Sequence, residues 1–208
     1  MRRLTISVLA FCMMLMGATA RAAPAPVILV LGDSLSAGYG LRTGEGWVLL
    51  LQERLRQQGY GHRVVNASVS GETTAGALAR LPRALKLHRP AIVIIEVGAN
   101  DGLRGLPVHD LRINLAALVQ RSRAAGARVL LVGVRMPPNY GARYADQFYA
   151  SYQDLARREG LAFVPFLLDG IANRAESFQD DRLHPNAAAQ PKLLDNVWPR
   201  LRPLLSRR

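Results

Sequence analysis

The 208-residue chain carries 27 Lys and Arg against 15 Asp and Glu, a net charge of +12, and is 50% hydrophobic but only 6% aromatic. Its arginines are scattered and lack interleaved aromatic residues, which argues against a nucleic-acid binder. The lone cysteine, Cys12, excludes a disulfide framework and a site built from several thiolates.

Residues 1–23, "MRRLTISVLAFCMMLMGATARAA", join Arg2 and Arg3 to an apolar run from Leu4 to Met16 and a small-residue tail. This three-part pattern predicts a signal peptide cut after Ala20 or Ala22, because the run is too short to span a bilayer comfortably. Its removal takes Cys12 away and sends residues 24–208 to the periplasm or outside the cell as a single domain.

Five short apolar segments follow, at residues 27–31, 62–67, 91–97, 128–134 and 161–166. The first, third and fourth are almost unbroken apolar runs, as strands covered on both faces require. Helical patterns separate them at residues 46–59, 73–88, 108–126 and 142–160, and a last helix is predicted over Ala187 to Leu201. Leu111, Leu115, Leu118 and Val119 fall at helical spacing, while Gly59, Gly126 and Gly160 supply stops. Pro82 predicts a kink or a break in the second helix. The alternation specifies a three-layer α/β domain with a mainly parallel sheet.

In such a sheet, ligands bind beyond the carboxyl ends of the strands, near the point where strand order reverses. The first strand runs into Gly32-Asp33-Ser34, the second into a loop with Gly71, and the third into Asn100-Asp101. Before the last helix comes "DDRLHPN", with Asp181 and His184. A serine hydroxyl is a weak nucleophile until an imidazole takes its proton, and that imidazole needs a carboxylate to fix its tautomer. Ser34, His184 and Asp181 supply those groups, with Asp180 as the alternative carboxylate. Ser34 as a helix cap and His184 as a surface turn residue is the competing structural reading. The backbone N–H groups of Ser34 and Gly71 and the Asn100 amide are the candidate oxyanion donors.

Asp33 is expected to fix the turn through backbone bonds, Asp101 and Glu72 to brace loops, and Glu96 to need a partner if buried. His62, His88 and His109 show no ligand spacing, so no metal is expected. The Gly-x-Ser-x-Gly elbow, the Walker phosphate loop and the dinucleotide glycine fingerprint are all absent.

Taken together, "LVLGDSLSAGYGL", "NASVSGETTAGALARL", "EVGANDGLRGL", "RMPPNYG" and "FQDDRLHPNAAAQP" resemble the SGNH, or GDSL, hydrolase superfamily. Within it the chain is similar to the exported bacterial thioesterase I/protease I/lysophospholipase group, also called arylesterases. The resemblance implies a flavodoxin-like α/β/α sandwich with a five-stranded sheet in the order 2-1-3-4-5. It also implies a Ser34 nucleophile, an Asp181–His184 pair, oxyanion donors at Ser34, Gly71 and Asn100, an acyl-enzyme and no cofactor. Ala99 stands where the usual family wording has glycine, a departure bearing on loop tightness and specificity.

The expected activity is hydrolysis of acyl thioesters such as acyl-CoA, simple aryl or alkyl esters and lysophospholipids, with removal of acetyl groups from a carbohydrate as the alternative. Leu103 and Leu106, in the loop after Asn100, are expected to line the substrate groove. Transient contact with anionic membrane lipid is expected from the basic charge, with neither a nucleic acid nor an obligate protein partner.

Overall fold

The computed structural model describes residues 24–206, so the expected signal peptide at 1–23 lies outside the described residues. Five strands form one parallel sheet: β1 (Val27–Gly32), β2 (Arg63–Asn66), β3 (Ile92–Glu96), β4 (Arg128–Val132) and β5 (Ala162–Val164). Their order is β2-β1-β3-β4-β5, as the resemblance implied.

The apolar runs act as expected of strands covered on both faces. Leu29, Leu31, Val93, Ile95, Val129 and Leu131 join one core cluster. Their neighbours Ile28, Val30, Ile92, Ile94, Leu130 and Val132 join the other. This is the period-two alternation of a strand, with both faces apolar. Each fully buried aliphatic side chain contributes about 1.5–3 kcal/mol of transfer free energy. The two edge strands, of four and three residues, are shorter than the three central strands of five or six, and β2 keeps both of its end residues exposed. Short edges limit the unpaired backbone that a sheet presents.

The described α-helices are α1 (Ser34–Ala37), α2 (Trp47–Gln57), α3 (Thr74–His88), α4 (Ala99–Leu103), α5 (Val108–Ala124), α6 (Ala142–Glu159) and α7 (Gln190–Leu201). Leu81 of α3, Leu115 of α5 and Phe148 of α6 pack on the first face. Leu51 of α2 and Leu193 and Val197 of α7 pack on the second. Two corrections concern helix continuity. The last helix begins as a separate 3₁₀ turn over Ala187–Ala189, and α3 passes through Pro82 without a break. Pro82 lies on the exposed side of α3, where opening the helix toward water disturbs no packing.

The chain leaves β1 for β2 on one side and returns to β3 on the other. The reversal of strand order therefore opens beyond β1 and β3, where Ser34 and Asn100 follow their strands.

Candidate active site

At the end of β1 the strand turns directly into the four-residue helix α1. Asp33 occupies the cap position, and its Oδ1 accepts the backbone N–H of Leu35 at 3.0 Å. Ser34 is thereby the first helical residue, with a backbone N–H that needs no intrahelical acceptor. Across the cleft, the Asp181–His184 turn is closed by the Asp181 carboxylate. Its Oδ1 accepts the N–H groups of Leu183 at 2.9 Å and His184 at 3.0 Å.

The same carboxylate reaches the ring it orders: Asp181 Oδ2 lies 2.6 Å from His184 Nδ1. His184 Nε2 lies 2.8 Å from Ser34 Oγ, completing a continuous serine–imidazole–carboxylate relay. The backbone N–H of His184, its ring and then the N–H of Leu183 pull the Asp181 pKa down to about 2 from 3.8. Asp181 therefore stays anionic wherever the imidazole is useful. No such contact links Asp180 to the ring among the described residues, so the geometry favours Asp181 over that alternative.

Neighbouring groups hold the histidine loop. Tyr39, just after α1, packs its ring 4.5 Å from that of His184. Gln179 donates from Nε2 to the carbonyls of Tyr39 at 2.8 Å and Pro185 at 3.1 Å, tying the two loops together. Its backbone N–H donates to the His184 carbonyl at 2.8 Å. Sequence reasoning missed Tyr39 and Gln179, whose only signal is proximity in sequence to Ser34 and His184.

The other two predicted donors meet at the same cleft. Gly71 has φ +79°, a left-handed conformation that suits glycine, and its carbonyl accepts Arg104 Nη2 at 2.9 Å. Asn100 Nδ2 donates one hydrogen to the Glu72 carbonyl at 2.9 Å and keeps its second for the cleft. Asp101, buried beneath, accepts both the N–H and the hydroxyl of Thr74. That brace ties α4 to the start of α3 and fixes Asn100 against the Gly71 loop. Glu72 pairs with Arg80 at 2.6 Å, so both residues brace loops as expected.

Asp33 and Glu96 form a buried acidic floor. Both are 0% exposed. The Ser36 hydroxyl donates to Glu96 Oε2, which provides the partner that burial demands. Asp33 Oδ2 and Glu96 Oε1 have no partner among the described residues. Burial pushes the Asp33 pKa up to about 6, and burial followed by the charge of Asp33 holds Glu96 well above the usual carboxylate range.

Ser34, His184, Gly71 and Asn100 all border one cavity of about 930 Å³. Leu103 lines it, as expected. Leu106 does not border it: α4 ends at Leu103, Gly105 turns the chain at φ +63°, and Leu106 is 37% exposed. The Tyr144 hydroxyl on α6 holds the Leu106 carbonyl at 2.9 Å. Val134, Met136, Phe166, Leu168 and Phe178 add to the apolar wall. The rule that ligands bind beyond strand ends, applied to β4 and β5, points to the first four. No group of three or more potential metal-ligating side chains occurs among the described residues.

The sequence pattern of the GDSL-like Lipase/Acylhydrolase family matches residues 30–190, a span that includes every site residue named above. Over 194 residues the chain is 53% identical to Esterase TesA of Pseudomonas aeruginosa, covering 93% of this chain and 96% of that one. It is 42% identical over 188 residues to Thioesterase 1/protease 1/lysophospholipase L1 of Escherichia coli, covering 90% of this chain and 89% of the other. A solved structure of the psychrotrophic esterase EstA from Pseudoalteromonas sp., inhibited by monoethylphosphonate, matches with a TM-score of 0.81 and 44% identity. That match covers 85% of this chain and 97% of EstA.

Proposed function

Because the chain belongs to the GDSL-like lipase/acylhydrolase family and is a serine-type carboxylic-ester hydrolase, we propose that Ser34, His184 and Asp181 are its catalytic triad. The observation that carries the assignment is the relay of 2.8 Å and 2.6 Å contacts ending at a serine on the wall of an apolar cavity.

Ser34 Oγ attacks the acyl carbonyl carbon while its proton passes to His184 Nε2. The new C–O bond forms as the carbonyl π pair moves onto oxygen, where the N–H groups of Ser34 and Gly71 and the Asn100 amide receive the negative charge. Asp181 holds the ring in the tautomer that accepts this proton and stabilises the resulting imidazolium. Collapse of the intermediate expels the alkoxide or thiolate leaving group, which takes the proton from His184. Water then attacks the acyl-enzyme by the same route, releasing the carboxylic acid and restoring Ser34. None of these steps uses a cofactor.

The substrate is an acyl ester or thioester whose hydrocarbon chain lies against Leu103, Val134, Met136 and Phe166. Residues 1–23 direct the enzyme to the periplasm or beyond, and its basic charge favours transient contact with anionic lipid, with no obligate protein partner. No helix among the described residues is long and apolar enough to cross a membrane.

Catalytic efficiencies for acetyl, butanoyl, hexanoyl and octanoyl esters of one leaving group test this reading. Each methylene buried in the cavity is worth about 0.8 kcal/mol, so efficiency is expected to rise up to about fourfold per carbon until the wall is filled. A flat or falling series, with better turnover of an acetylated sugar, would replace the acyl-chain reading by carbohydrate O-acetyl esterase activity.

A further inference from the structure

The apolar cavity has a rim of a different character. Arg135, Arg174 and Arg182 border it, contributed by the segment after β4, the loop after β5 and the Asp181–His184 turn. None forms an ion pair with a carboxylate among the described residues. Arg54, Arg80 and Arg123, by contrast, do so through Asp195, Glu72 and Glu159. Arg135 is held from behind: its guanidinium stacks 4.4 Å from the Tyr149 ring centroid and 5.6 Å from that of Phe166, and Nη2 donates to the Tyr149 hydroxyl at 3.2 Å.

Arg182 is unusual in its backbone as well. It adopts φ +56°, a left-handed conformation shared by only one other non-glycine residue, Arg89, among those described. Glycine would fit that position without strain. The turn therefore carries a long cation where its backbone favours a residue with no side chain. Two carboxylates also border the cavity, Asp169 and the fully buried Glu96, which takes the Ser36 hydroxyl, and neither forms an ion pair with the three guanidiniums; Asp181 is committed to its own turn and His184.

A hydrocarbon chain has no use for these cations. Guanidinium groups match phosphate oxygens in geometry and charge, so the rim suits a substrate whose leaving group is phosphorylated. We propose that Arg182 and Arg174, with Arg135 fixed on the border of the same cavity, form an anion subsite that holds the phosphate of the leaving group while the acyl chain occupies the apolar wall. The proposal rests on the hydrolase reading above and assigns residues that would hold the phosphate of such a leaving group. The phosphate belongs either to a pantetheine-type thioester or to the headgroup of a lysophospholipid. In both cases the bond cleaved is the one already described, and the arginines act only in binding.

The test compares two matched pairs of substrates. Octanoyl-coenzyme A is set against octanoyl-pantetheine, which keeps the same thioester arm without phosphates, and lauroyl-lysophosphatidylglycerol against monolauroylglycerol. The readout is the anionic-to-neutral ratio of kcat/KM in wild type, Arg182→Gly and Arg174→Gln, so that any general disturbance of the neighbouring triad cancels. Arg182→Gly suits the local backbone, and Arg174→Gln provides a second variant outside the triad turn.

Each substitution is expected to lower the ratio about tenfold in at least one pair, chiefly through KM, the size expected for a hydrogen bond to a charged group. The wild-type ratio should also fall as salt rises, with a shallower fall in the variants. A selective loss in the first pair identifies the thioester as the source of the phosphate, and a selective loss in the second identifies the lipid. Ratios unchanged in both pairs overturn the subsite while leaving the hydrolase reading intact. Failure of wild type to cleave any of the four substrates overturns both.

Discussion

Replacing Asp33 by Asn isolates the burial of charge beside the proposed nucleophile. Asp33 is fully buried; one carboxylate oxygen accepts the Leu35 N–H and the other has no partner among the described residues. Burial is the largest influence on its pKa, followed by the opposing Leu35 bond and His184 charge, and the net result is a rise from 3.8 to about 6. Below 3.8 the group is protonated in both folded and unfolded chains, and its contribution to stability is complete. Between 3.8 and about 6 the folded protein retains a proton that the unfolded chain has released, so stability falls as pH rises. Above that window the loss is constant, at about 3 kcal/mol for a shift of this size. Asn cannot ionise, so Asp33→Asn removes this dependence. Urea unfolding of both proteins at pH values from about 4 to 8 should show the variant gaining stability relative to wild type by up to about 3 kcal/mol between the acidic and neutral ends. A stability difference that is the same at both ends would refute the reasoning, because it would mean that Asp33 ionises as an ordinary exposed carboxylate does.

Other substitutions probe the relay, the oxyanion donors and the packing behind them. Asp181→Asn should lower kcat by about 10²–10⁴ with little change in KM, through loss of the tautomer lock; pre-steady-state acylation kinetics check this, and an equally crippling Asp180→Asn would argue against the assignment. It should also lessen the loss of stability that wild type shows as pH falls from 3.8 toward about 2, since the depressed Asp181 pKa supplies stability present above that window. Asn100→Ala should reduce kcat by about 10²–10³, measured with a fast-acylating aryl ester, whereas a change confined to KM would make Asn100 a binding residue only. Gly98 has φ +123°, and a methyl group there would overlap the hydroxyl of Tyr152, which donates to the Val97 carbonyl at 2.9 Å. Gly98→Ala should therefore cost about 2–4 kcal/mol in urea unfolding, and less when combined with Tyr152→Phe; strictly additive losses would refute the clash.

The central strands were legible because burial on both faces leaves an unbroken apolar run, as in "VILVL" and "AIVIIEV". That alone located the cleft, since strand ends near the reversal of a parallel sheet gather the loops bearing Ser34, Gly71 and Asn100. The Asp181–His184 contact was legible for a local reason: a separation of three residues in a tight turn lets one carboxylate accept backbone N–H groups and still meet the ring. The cavity wall was harder to read. Met136 and Phe166 are apolar, and an apolar letter after a strand serves a core as readily as a groove. Leu106 shows the converse difficulty, for its place near Asn100 in sequence does not carry it to the cavity past the turn at Gly105. The acidic floor was visible only in part. Glu96 stood out within an apolar strand, but Asp33 looked like an ordinary turn residue, and its burial depends on loops distant in sequence.

The central claim is that Ser34 carries the acyl group, and the most direct measurement is mass spectrometry of the protein after reaction with a fluorophosphonate, with the modified serine mapped by peptide analysis. The account predicts a single adduct on Ser34, with labelling slowed by at least about 10² in His184→Ala because the hydroxyl loses its base. An adduct on Ser36, Ser68 or Ser70 instead, or no adduct on protein that still hydrolyses esters, would contradict it.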